Sequence, residues 1–171
     1  MSEYNALNNT NQLTGTRMRA LARDWFSKQE TKDGRVILQK PGNQRQFLVT
    51  PFLAKLVPPV YGTTNDGNPL YCTSYEIEIR SDKATVRLMI WRNHKTPQSI
   101  TGIYRKIVPP MTKKDFRENF KGSSDEQTYN TTFGSISVDA STTESDLTRF
   151  FESVWDNILR FEEDYSYLLE N

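Results

Sequence analysis

The stretch Tyr75–Trp91, YEIEIRSDKATVRLMIW, limits the possible folds of this chain more than any other. Tyr75, Ile77 and Ile79 alternate with Glu76, Glu78 and Arg80. On the return, Val86, Leu88 and Ile90 alternate with Thr85, Arg87, Met89 and Trp91. A period of two puts each set on its own side of a β-strand, whereas a helix would scatter both sets around its axis. Ser81, Asp82 and Lys83 suit a tight turn between the two strands. Pairing the aliphatic rows buries one face and brings the acids of the first strand near an arginine of the second. The pattern therefore dictates a sheet, while no stretch of the chain dictates a reaction.

The flanking segments supply the covers for that sheet. Residues 1–13 lack an apolar period and are expected to form a flexible tail, with 14–171 a single domain. From Thr16, the apolar residues Met18, Leu21, Ala22, Trp25 and Phe26 recur at helical spacing, predicting a helix that ends near Lys28–Thr31. Asp33-Gly34 marks a turn, and β-type runs follow at Arg35–Gln39 and Gln46–Thr50, the second ended by Pro51. Phe52–Val57 fits a strand or one helical turn equally well, because so short an apolar run does not reveal its period.

Gly62–Pro69 reads as a loop, and helices are expected at 97–108 and 112–120. After a loop over Gly122–Glu126, Tyr129–Val138 alternates as a strand whose phase slips at Gly134, as a bulge would make it do. The closing helix is the clearest. Thr143 and Asp146 form a capping pair, and Leu147, Phe151, Val154, Ile158, Phe161, Tyr165 and Leu168 make an apolar stripe widened by Phe150, Trp155 and Leu159. So broad a stripe needs a cover, and its flanking aromatics favour the body of the domain over a second copy of the chain. The expected class is α+β: a mainly antiparallel sheet with a central hairpin, packed by an N-terminal helix and a long C-terminal helix.

Charge is balanced overall but not along the chain. Residues 1–121 hold 20 of the 22 Lys and Arg and 10 of the 21 Asp and Glu, whereas 122–171 hold the other 2 and 11. The basic portion could meet an anionic partner, or the acidic closing helix could lie against the basic sheet and neutralise it. Cys72 is the only cysteine and His94 the only histidine, which excludes an internal disulfide and any multi-cysteine metal site. A zinc site of histidine and cysteine would need both of them plus carboxylates. The sequence contains no membrane span and no secretory signal, so a cytoplasmic location is expected, with no membrane partner.

Several short motifs, in order, carry a family resemblance. These are Asp24-Trp25-Phe26 in the first helix, Gln39-Lys40-Pro41 leading to Gln46-Phe47, Tyr75-Glu76-Ile77 with its return strand, and Leu159-Arg160-Phe161-Glu162-Glu163 in the last helix. Over residues 18–168 the chain resembles the small α+β module found alone or beside PD-(D/E)XK restriction-nuclease-like domains. The resemblance implies an accessory role in bacterial or phage defence and nucleic-acid metabolism. It assigns no catalytic residue.

Three kinds of site compete. Glu78-Ile79-Arg80 imitates the carboxylate-x-lysine end of a metal-dependent nuclease site, with Glu76 on the same face and Asp66 as the upstream acid. Arginine, however, does not readily release a proton, so a degenerate nuclease is the weakest reading. Cys72 has only His94 as a base, and no phosphate-cradling or dinucleotide-binding loop is present, so no catalytic residue, metal or cofactor is expected. Arg87, Trp91, Arg92, Lys95, Arg105, Lys106, Lys113 and Lys114 offer charge and an aromatic surface to nucleic acid. Glu152, Asp156, Glu162, Glu163 and Asp164 form an acidic helix edge suited to a basic partner protein. The residues favour a non-catalytic adaptor or inhibitor that binds another protein first and nucleic acid second, and they leave the oligomeric state open.

Overall fold

Alternation along the central hairpin becomes register in the computed structural model, which describes residues 13–39, 45–56, 73–93 and 125–169, with the backbone alone at 90–93 and 125–130. The elements in chain order are helix α1 (Gly15–Ser27), strands β1 (Glu30–Thr31), β2 (Gly34–Arg35), β3 (Ile37–Gln39) and β4 (Arg45–Val49), and helix α2 (Pro51–Leu56). Strands β5 (Thr73–Arg80), β6 (Lys83–Asn93) and β7 (Asp125–Ser137), helix α3 (Glu144–Asp164) and a 3-10 turn at Ser166–Leu169 complete them. In β5 and β6, Tyr75 faces Leu88, Ile77 faces Val86 and Ile79 faces Ala84, and Glu76 lies opposite Arg87. Ser81 and Asp82 alone make the turn, because Lys83 already pairs with Arg80.

Strands β3 to β7 form one antiparallel sheet in sequential order, and β1–β2 is a separate small hairpin. The fold is therefore α+β, with a mainly antiparallel sheet and a helix from each end of the chain packed on it. The helices expected at 97–108 and 112–120 lie outside the described residues.

One face of the sheet is apolar and covered by α1 and α3. Met18, Ala22 and Phe26 of α1 and Leu147, Phe151, Val154, Trp155 and Ile158 of α3 are buried with Leu48, Tyr75, Ile77, Ile79, Val86 and Leu88. Leu13, the last residue of the expected tail, is also buried in this core. Thr14 caps α1 by accepting from the Arg17 amide, and Thr143 and Asp146 cap α3 reciprocally through bonds of 3.0 and 2.9 Å. An exposed Arg17–Glu144 pair joins the two helices at 3.0 Å.

The expected phase slip in β7 is a bulge where α3 crosses closest. Val86 pairs with Gly134 and Arg87 with Thr132, so Phe133 has no partner in the ladder. It turns into the core against Tyr75 and Phe161, with ring centroids 5.3 Å away in each case. Asn157 of α3 donates to the carbonyl of Phe133 at 2.8 Å. A Cβ on Gly134 would stand 2.8 Å from Val154 Cγ2 and 3.1 Å from Phe150 Cε1, so the close helix crossing requires glycine there. A second register shift falls between Leu88 and Met89, and the strand starts at Asp125, inside the segment expected to be a loop.

Of the run Phe52–Val57, the described residues, through Leu56, are helical. Thr50 Oγ1 accepts from the Leu53 amide at 3.2 Å and Pro51 occupies the first helical position, where its missing N–H costs nothing. Pro51 thus both ends β4 and opens α2.

Candidate binding site

Among the described residues two glutamates leave water, one on each face of the sheet. The first belongs to the motif that imitates a nuclease. Glu76 is fully buried. Ser74 and Met89, its neighbours on that face, are buried as well. Arg87 Nη2 lies 3.4 Å from Glu76 Oε1 and 3.3 Å from Glu78 Oε1, while Arg45 Nε lies 3.8 Å from Glu76 Oε2 and 3.5 Å from Glu78 Oε2. Arg80 Nη2 adds a contact of 3.6 Å to Glu78.

Three arginines thus surround two carboxylates, a charge-compensated cluster of the kind needed when acids are withdrawn from solvent. Arg45 comes from β4 and was not singled out in the sequence; its register opposite Glu78 places it there. Arg87, expected to meet phosphates, is engaged by Glu76 and Glu78. Trp91 and Arg92 continue β6 opposite Gln127 and Glu126. Lys95, Arg105, Lys106, Lys113 and Lys114, with Asp66, Cys72 and His94, lie outside the described residues.

The second glutamate is on α3. Glu152, Asp156, Glu163 and Asp164 are exposed, but Glu162 is only 8% exposed and does not belong to the acidic edge. Steps of four, three and four residues from Phe151 through Trp155 and Ile158 lead to Glu162, which places a carboxyl on the buried stripe. Tyr75 Oη and Thr50 Oγ1 both donate to Glu162 Oε2 at 2.5 Å. One carboxylate therefore ties α3 to the central strand and to the cap of α2. Burial raises the Glu162 pKa, the two hydroxyl bonds oppose that rise, and nearby Asp33 adds to it. Burial, and then the proximity of Glu162, holds the Tyr75 hydroxyl well above the usual tyrosine range, so Tyr75 remains a donor.

Glu162 forms part of the wall of an open groove of about 690 Å³. The β1–β2 hairpin contributes Lys32 and Asp33, α2 contributes Phe52 and Lys55, and the end of the chain contributes Leu159, Glu163 and Leu169. The hairpin wall escapes sequence inspection because strands of two residues have no measurable period. Gly34, at a φ of +135°, lets the chain reverse after Lys32 and Asp33. Among the described residues no cation lies within ion-pair distance of Glu162.

The outer side of α3 continues from this groove. Glu152, Asp156, Leu159 and Glu163 follow one another at steps of four, three and four residues and so form a single line along the helix. Leu159 is exposed within it. None of the exposed acids Glu152, Asp156, Glu163 and Asp164 is ion-paired among the described residues. By contrast, Glu144, Asp146, Asp24 and Glu30 are paired with Arg17, Arg149, Lys28 and Arg35. The described helices contain none long and apolar enough to cross a membrane. No protein-family model, curated protein or solved structure matches this chain.

Proposed function

We propose that the chain is a non-catalytic interaction protein, an adaptor or inhibitor, and that the outer line of α3 is the surface that meets a basic partner protein. The observation that carries this reading is the row Glu152, Asp156 and Glu163, unpaired among the described residues, with exposed Leu159 in its midst. An apolar contact flanked by unneutralised charge supports both burial and steering toward a cationic partner. The acids point away from the sheet that α3 covers, so they do not serve to neutralise it. In the setting implied by the family resemblance, the partner is a nucleic-acid-handling protein of bacterial or phage defence or counter-defence, and the acids imitate phosphate charge.

Affinity capture from source-cell lysate tests the proposal, comparing the native chain with one carrying Glu152→Gln, Asp156→Asn, Glu163→Gln and Asp164→Asn. A protein retained by the native chain, released by added salt and lost with the variant is the expected result. Equal recovery by both chains, or recovery of the chain alone, would contradict it.

A further inference from the structure

We propose that the groove between β1–β2, α2 and the end of α3 receives one arginine or lysine side chain of the partner polypeptide, with Glu162 as its acceptor. This rests on reading α3 as the protein-binding surface. The Glu162 carboxylate takes both hydroxyl bonds at Oε2 and neither at Oε1, although an ionised carboxylate offers acceptor sites on both oxygens. It is more than nine-tenths buried and has no described cation within ion-pair distance, yet it lines an open groove. A buried carboxylate without a counter-charge is unfavourable, and a cation entering the groove would supply one.

The surroundings suit a long side chain with a charged tip. Phe52, Leu159 and Leu169 offer apolar contact to a methylene stem, and Asp33 and Glu163 add negative charge to the wall. Lys32 and Lys55 share that wall and would repel an incoming cation, so the acceptor must outweigh them. A polypeptide source is favoured over a free amine because Leu159 and Glu163 belong both to the groove and to the outer line of α3. A chain bound along that line passes the mouth of the groove.

Calorimetric titration of the full chain with the acetylated, amidated peptide Lys-Leu-Arg-Leu-Lys tests the proposal. Its control is the same peptide with neutral citrulline in place of arginine. The arginine peptide should bind at least about tenfold more tightly, the factor implied by one charged hydrogen bond, and Glu162→Gln should abolish that preference. Lys55→Glu, at the exposed rim, should increase the preference and provides a second test should Glu162→Gln fail to fold. Glu152→Gln with Asp156→Asn should weaken both peptides alike. Equal binding of the two peptides to the native chain, with both weakened by the α3 substitutions, overturns the groove proposal and leaves the surface reading standing. No binding of either peptide overturns both.

Discussion

Glu76 and Glu162 are both withdrawn from water, one on each side of the same strand pair, and the chain satisfies them in opposite ways. Glu76 sits among arginines fixed by strand register, with Arg87 directly across the ladder and Arg45 one strand over. Glu162 has two hydroxyls, an adjoining groove and, among the described residues, no cation within ion-pair distance. A carboxylate compensated within the fold serves the fold, whereas one left uncompensated beside open space can serve a ligand. On that comparison the described ion pairs of the nuclease-like motif serve the architecture, and the proposed ligand role falls to the acid on the closing helix.

Substitutions that separate these roles should sort by size. Arg87→Ala removes one of the arginines that compensate buried Glu76, and chemical denaturation should show a loss of about 3–5 kcal/mol. A loss under about 1 kcal/mol would place the cluster in solvent and break the comparison at its first term. Tyr75→Phe removes one donor from Glu162 and should cost about 1.5–3 kcal/mol, since the bond is to a charged acceptor. If the variant is as stable as the native protein, the hydroxyl does not hold that carboxylate. Gly134→Ala drives a methyl into Val154 and Phe150 and should cost about 1–3 kcal/mol without altering peptide binding, which separates the closeness of the α3 crossing from the surface α3 presents.

The pH dependence of Glu162→Gln sharpens the contrast further. Burial raises the carboxyl pKa in the folded state, so the folded chain keeps a proton that the unfolded chain has already released. The associated stability is fully present below the ordinary glutamate range and is lost as pH rises through the raised folded value. The native protein should therefore lose stability relative to Glu162→Gln on going from about pH 4 toward neutrality. Parallel stability curves would show that Glu162 is not set apart from solvent. The smallest effect is expected from Glu152→Gln, which at an exposed position should change stability by less than about 0.5 kcal/mol while weakening partner binding.

Much of this architecture is legible in the residues because it depends on period. The two-residue alternation of β5 and β6 determines which side chains face each other, and the slip at Gly134 marks the bulge over which α3 passes. Thr143 and Asp146 announce the start of α3. Features that depend on contacts distant in sequence are not legible in the same way. The burial of Glu76 is one of these, because nothing local shows that its face is covered. Glu162 is the instructive miss. Its place in the series Phe151, Trp155, Ile158 is visible in the sequence, but the adjacent Glu163 and Asp164 draw it into an acidic run. Thr50 and Tyr75, which hold its oxygen, lie 112 and 87 residues away. The hairpin wall of the groove is shorter than any pattern can register, and Phe52–Leu56 declares itself a helix only through the cap from Thr50.

The most direct test of the contrast between the two glutamates is the titration of the Glu162 carboxyl carbon by NMR, alone and with the arginine peptide. The expected result is a midpoint above the ordinary glutamate range in the free protein that falls when the peptide binds, because a cation in the groove favours the ionised form. An ordinary midpoint in the free protein, or a raised one unmoved by saturating peptide, would contradict the assignment of Glu162 as the uncompensated acceptor.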